Sequence, residues 1–155
     1  MLVGFLQQIS QITNPCLSLS SNPPIAPTNS ARPLGFIFDT SLTFSKEISS
    51  LSNACNYHIR DLRRIRHTLD LKTVFAMAIS LVYFNIDYCK SLYLNLPTKQ
   101  FSCLQLLQNS SARVVMGTPK TEHITPIFKS LHWLEIEERI HYKIIYLTYD
   151  ILHTS

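Results

Sequence analysis

From Ser45 onward the apolar residues recur every three or four positions, and that period commits most of the chain to helix. Ile48, Leu51, Cys55, Ile59, Leu62 and Ile65 step by four, three, four, three and three. At roughly 100° per residue these positions fall along one side of a helix of about six turns. Glycine points the same way, because the 155 residues contain only three. Sheets joined by tight turns need more, since their turn positions favour the left-handed backbone that glycine adopts without penalty. With 46% hydrophobic and 15% charged residues, the chain has the material for a core and lacks the signature of a disordered segment.

Further helices follow the first. Asp70 is placed to cap a second helix through Val74, Ala78, Leu81 and Phe84, apolar on nearly all sides and so expected at the centre. Pro97-Thr98 opens a third, with Phe101, Leu104, Ala112 and Val115 on one face and Gly117-Thr118-Pro119 at its end. A short element covers Thr125 to Leu131. The last helix runs from Glu135 to about Leu152, with Glu135, Glu137 and Glu138 where its dipole favours acid. Ahead of these, Leu2–Leu6 and Leu34–Asp39 read as short strands separated by a Pro- and Ser-rich linker over 18–33. The expected fold is mainly α, a four- to five-helix bundle with a small N-terminal two-stranded β element. A lone strand followed by such a linker suits a segment of something longer.

The longest largely apolar run, Val74–Phe84, has eleven residues, against the roughly twenty a membrane span needs. No secretory signal is readable in Met1–Ser10, and Cys16, Cys55, Cys89 and Cys103 contain no CxxC. An intracellular setting, nucleus or cytoplasm, with reduced thiols is expected.

The net charge of +4 is modest, but four of the seven arginines lie between Arg60 and Arg66. Arg60, Arg63, Arg64 and His67 stand at i, i+3, i+4 and i+7, one face of a helix beside its apolar stripe. Lys46 and Lys72 stand behind them, and Arg113 and Lys120 are further basic candidates. A guanidinium is planar, permanently charged and suited to phosphate, so the stripe is a candidate for nucleic-acid backbone contact. The competing reading is a solvated face partly balanced by Asp61 and Asp70.

Residues for catalysis or metal binding do not assemble in the sequence. Cys55 and His58 have CxxH spacing but no second ligand pair, and Cys55 belongs to the apolar stripe. Glycines at 4, 35 and 117 cannot form a phosphate loop, and no nucleophile elbow is present. The adjacent acids Glu137 and Glu138 lie in the last helix, where they serve its dipole. Tyr142, Tyr146 and Tyr149 form a second stripe, better suited to helix packing than to base stacking.

Three stretches taken together carry a resemblance: Leu34–Ser49 (LGFIFDTSLTFSKEIS), Ile86–Pro97 (IDYCKSLYLNLP) and Leu104–Tyr149, which contains Gln108-Asn109 and His132-Trp133-Leu134. In order and spacing they resemble the segment after the palm in reverse transcriptases of non-LTR (LINE-type) retrotransposons, over nearly the whole chain. The resemblance implies a thumb-like helical domain over 34–155 that grips an RNA or DNA template–primer duplex, with 1–17 as a remnant strand of an upstream palm. The family's polymerases use Mg2+ held by palm aspartates, and no residue here matches those aspartates. The chain is therefore expected to hold no cofactor and to be no enzyme by itself, and its missing partner is the palm. Asn85, Ser111 and Glu135 stand where the pattern has arginine, alanine and proline, and the pattern continues beyond Ser155, as in a truncated copy. The alternatives are a helical protein-interaction module and a non-functional relic of the element.

Overall fold

The computed structural model of the chain describes residues 30–31, 37–39, 43–88, 90–94 and 96–154, and these are mainly helical. They divide into two compact units, Met1–Ser49 and Ser50–Ser155. In the first, β1 (Ser30–Ala31) pairs antiparallel with β2 (Phe38–Asp39), Ser30 opposite Asp39 and Ala31 opposite Phe38. The strand expected at Leu2–Leu6 lies outside the described residues. Helix α1 (Ser45–Ile65) begins in this unit. The Ile37 amide donates to Glu47 Oε2 at 2.8 Å, which places a carboxylate in the first turn, at the positive end of the helix dipole.

In the second unit the apolar period of α1 becomes a buried face. Leu51, Cys55, Ile59 and Leu62 are all buried, while Ile65 is exposed where the helix tightens into a 3-10 turn, Arg66–Thr68. Asp70 then caps α2 (Leu71–Ala78), accepting from the Thr73 amide at 3.1 Å. The Thr73 hydroxyl and amide together hold the Asp70 carboxyl below the usual carboxylate range. Through a π turn, Ile79–Tyr83, α2 continues into α3 (Phe84–Asp87). Val74, Ala78, Val82, Tyr83 and Ile86 are buried along this rod, yet Leu71, Ile79 and Phe84 are exposed. The all-round apolar composition predicts a central helix; the fold covers only one of its sides.

The central place belongs to α4 (Thr98–Met116), which packs against α2, α5 (Ile124–Leu131) and α6 (Ile136–Thr154). Leu104, Leu107, Ala112, Val114 and Val115 are buried on it. Gly117 ends it at φ 69°, the left-handed conformation that glycine takes without strain. There the Gly117 amide bonds to Val114 O at 3.3 Å and the Thr118 amide to Arg113 O at 3.0 Å, which satisfies the last carbonyls. Helix α6 starts with two borrowed acceptors. Glu138 Oε2 accepts from the Glu135 amide at 3.1 Å, and Gln105 Oε1 accepts from the Ile136 amide at 3.0 Å.

Polar groups inside this core are tightly used. Gln108, fully buried, donates to Leu134 O at 2.7 Å and Tyr83 Oη at 2.8 Å, and accepts from Gln105 Nε2 at 3.1 Å. Burial pushes the Tyr83 hydroxyl far above its usual range, so it remains a neutral partner. The Arg139 guanidinium lies over the Tyr83 ring, 4.6 Å from its centroid, and ion-pairs with Asp87. Trp133 rests on Tyr83, Phe75 and Phe128, with centroid separations of 4.1, 5.9 and 6.4 Å. Ser111 departs from this pattern: it is fully buried and, among the described residues, its hydroxyl has no hydrogen-bond partner. Ser111→Ala is expected to raise stability by about 1 kcal/mol, since the change removes an unsatisfied buried hydroxyl. Urea denaturation of the two chains measures it, and a destabilised alanine variant would mean that the hydroxyl is bonded in solution.

Candidate nucleic-acid interface

Burial of Ile59 and Leu62 fixes how α1 faces the core, and this leaves Arg60, Arg63 and Arg64 exposed to solvent. Arg60 also lies 5.7 Å from the Tyr57 ring centroid. Among the described residues, none of these arginines forms an ion pair, and Asp70 is engaged in capping α2. His67 does not lie where the helical spacing predicts. Helix α1 ends at Ile65, so His67 is carried by the 3-10 turn and does not extend the arginine face at helical spacing. The cause is local: Thr68 Oγ1 donates to Ile65 O at 2.8 Å, and Asp70 takes up extended backbone to start α2. Lys46, in the first turn of α1, and Lys72, in the first turn of α2, are both exposed.

The residue that organises the site is one the helical period does not mark. Arg66 Nε donates to both Val114 O and Val115 O at 3.2 Å, and its Nη1 donates to Leu69 O at 3.3 Å. It thereby supplies positive charge to the negative end of α4 and holds the end of α1 against it. Around this junction Arg63, Arg66, Arg113 and Lys120 line a cleft of about 300 Å³ together with Val114, Gly117, Thr118 and Pro119. No carboxylate is among the lining side chains, and four of them are basic. Arg113 is held there by a bond from Nη2 to Glu122 O at 3.1 Å.

The eight basic candidates thus separate. Arg63, Arg113 and Lys120 meet in the cleft, and Arg60 and Arg64 are exposed on the helix that borders it. Lys46, His67 and Lys72 are not part of the cleft lining. Arg66 could have been sought from one signal, its place in the dense arginine run.

Other candidates are used structurally. Cys55 is fully buried and its thiol is pushed up to about 11, so it stays protonated at neutral pH. Glu138 caps α6, and among the described residues no cluster of His, Cys, Asp and Glu is arranged to hold a metal ion. Tyr142, Tyr146 and Tyr149, better suited in sequence to packing, are all exposed, with Tyr149 stacked on His153 at 3.9 Å. Among the described residues, no helix is long and apolar enough to cross a membrane. No family model, curated protein or solved structure matches the chain.

Proposed function

We propose that this chain is a thumb-like helical region of an RNA-directed DNA polymerase of the non-LTR retrotransposon type. Its role is to hold the backbone of a template–primer duplex for a palm that carries the catalysis. The observation that carries the reading is the convergence of Arg63, Arg66, Arg113 and Lys120 on one carboxylate-free cleft beside the exposed Arg60 and Arg64. The ordered sequence blocks supply the polymerase context. Contacts of this kind position a duplex and read no sequence.

Fluorescence anisotropy with a labelled RNA–DNA hybrid tests it. The affinity is expected to fall by roughly tenfold or more between about 50 and 200 mM salt, because each neutralised phosphate releases counterions. Primer extension by the chain alone is expected to be blank. A second reading, a protein-interaction module, is favoured by the exposed Tyr142, Ile145, Tyr146, Tyr149 and Leu152 on α6. A salt-insensitive association would select it.

A further inference from the structure

Two of the residues that line the basic cleft each carry a buried polar atom that lacks a hydrogen-bond partner among the described residues, Arg113 Nε and Thr118 Oγ1. Buried polar groups are nearly always bonded, and an orphan donor costs about 1–3 kcal/mol unless something satisfies it. Here both orphans belong to residues of a cleft that three arginines and a lysine line without an acid. Arg66 is committed to carbonyls through Nε and Nη1, and Arg113 through Nη2. The donors not so engaged include Arg66 Nη2, Arg113 Nη1 and Nε, the Thr118 hydroxyl, and the Arg63 and Lys120 head groups, all on residues that line the cleft.

We propose that this cleft is a phosphate pocket, which seats a single backbone phosphate of the bound nucleic acid. The proposal rests on the backbone-contact reading for the source of the phosphate. The chemistry argues for a tetrahedral oxyanion: several N–H and O–H donors, no acceptor side chain other than a hydroxyl, and permanent positive charge from three directions. A carboxylate partner would use a planar fork and leave part of this set unbonded. At about 300 Å³ the cleft has room for a phosphate together with the start of the sugars attached to it.

The geometry assigns separate duties. Arg66 holds the pocket closed by tying α1 to the end of α4, so it is a positioning residue. Arg113, Thr118 and Lys120 are the phosphate ligands, with Arg63 at the edge shared with the α1 face. Gly117 lets the chain turn beneath them: a Cβ there would stand 4.0 Å from Arg66 Nη2, and the φ of 69° would be strained.

Backbone-amide NMR of the full chain, titrated with inorganic phosphate against chloride at matched ionic strength, tests the pocket. Saturable shifts confined to Arg113, Gly117, Thr118 and Lys120 are expected from phosphate and not from chloride. Thr118→Val, which keeps the shape and removes the hydroxyl, is expected to weaken phosphate binding by about tenfold. Lys120→Gln, on an exposed loop residue, provides a second variant should the first unfold the corner. An unlabelled RNA–DNA hybrid is expected to shift the same amides and to be displaced from them by phosphate. If phosphate gives no saturable shifts while the hybrid still binds with a salt slope, the pocket is refuted and the backbone reading stands. If phosphate binds the cleft but the hybrid leaves those amides unmoved, the site serves a free anion and the proposal fails. If neither variant alters phosphate binding, the assignment of ligands is overturned.

Discussion

Replacing Gln108 with alanine is expected to lower the stability of the helical unit by about 3 kcal/mol, from a buried acceptor and a part-buried one left unbonded together with the cavity that the side chain vacates. The carboxamide links α4 to the Leu134 carbonyl ahead of α6 and to the Tyr83 hydroxyl on the π turn. The Tyr83 hydroxyl has no evident replacement, because its bond to Gln108 is buried, whereas the Leu134 carbonyl is only partly buried. Gln108→Met, which keeps the volume, separates the cavity contribution from that of the bonds and is expected to recover only part of the loss. Denaturant titration followed by circular dichroism measures both, and a shift in midpoint with an unchanged slope is the expected form. A loss below about 1 kcal/mol for the alanine variant would mean that the bonds add little.

Trp133→Ala is expected to cost a comparable amount, about 3 kcal/mol, at the lower end for removal of a large aromatic because the indole is partly exposed. Its ring bridges Tyr83, Phe75 and Phe128, which joins α2, the π turn and α5 at one corner. Trp133→Phe keeps one ring in that cluster and is expected to lie between the two chains. Since Trp133 is the chain's one tryptophan, its emission in the native chain also follows this corner as it unfolds. Alanine and native chains of equal midpoint would remove the cluster from the account of stability.

What could be read from the sequence was local. The buried side of α1, the Asp70 cap and the Gly117 stop each depend on residues within a few positions of one another, and period and cap chemistry express them directly. What could not be read depends on closure between distant segments. Arg66 reaches carbonyls 48 and 49 positions away, so no spacing rule in its own helix marks it. Asp87 and Arg139, 52 positions apart, likewise meet only in the folded chain. The tyrosine stripe on α6 shows the opposite limit: its period is plain, but periodicity does not say whether a partner element covers it.

The motif residues also divide between packing and surface. Gln108, Trp133 and Asp87, which contribute to the family resemblance, are engaged in a core network of hydrogen bonds, rings and an ion pair. Of the basic residues at the candidate interface, Arg66 and Arg113 bond to backbone carbonyls, and those two use part of their donors to build the cleft. Fold and candidate function are therefore separable by mutation: Gln108 and Trp133 report on stability, while Arg60, Arg63, Arg64 and Lys120 can change with little effect on it.

That separation makes the salt dependence of duplex binding the most direct test of the central claim. Anisotropy of a labelled RNA–DNA hybrid, measured across salt for the native chain and for Arg63→Ala with Arg64→Ala, gives the slope of log affinity against log salt for each. The double variant is expected to bind more weakly and to flatten the slope by roughly 1.8, about 0.9 for each phosphate contact removed, with its unfolding midpoint unchanged. Equal slopes for the two chains, or binding by the native chain that ignores salt, would contradict backbone contact by this face.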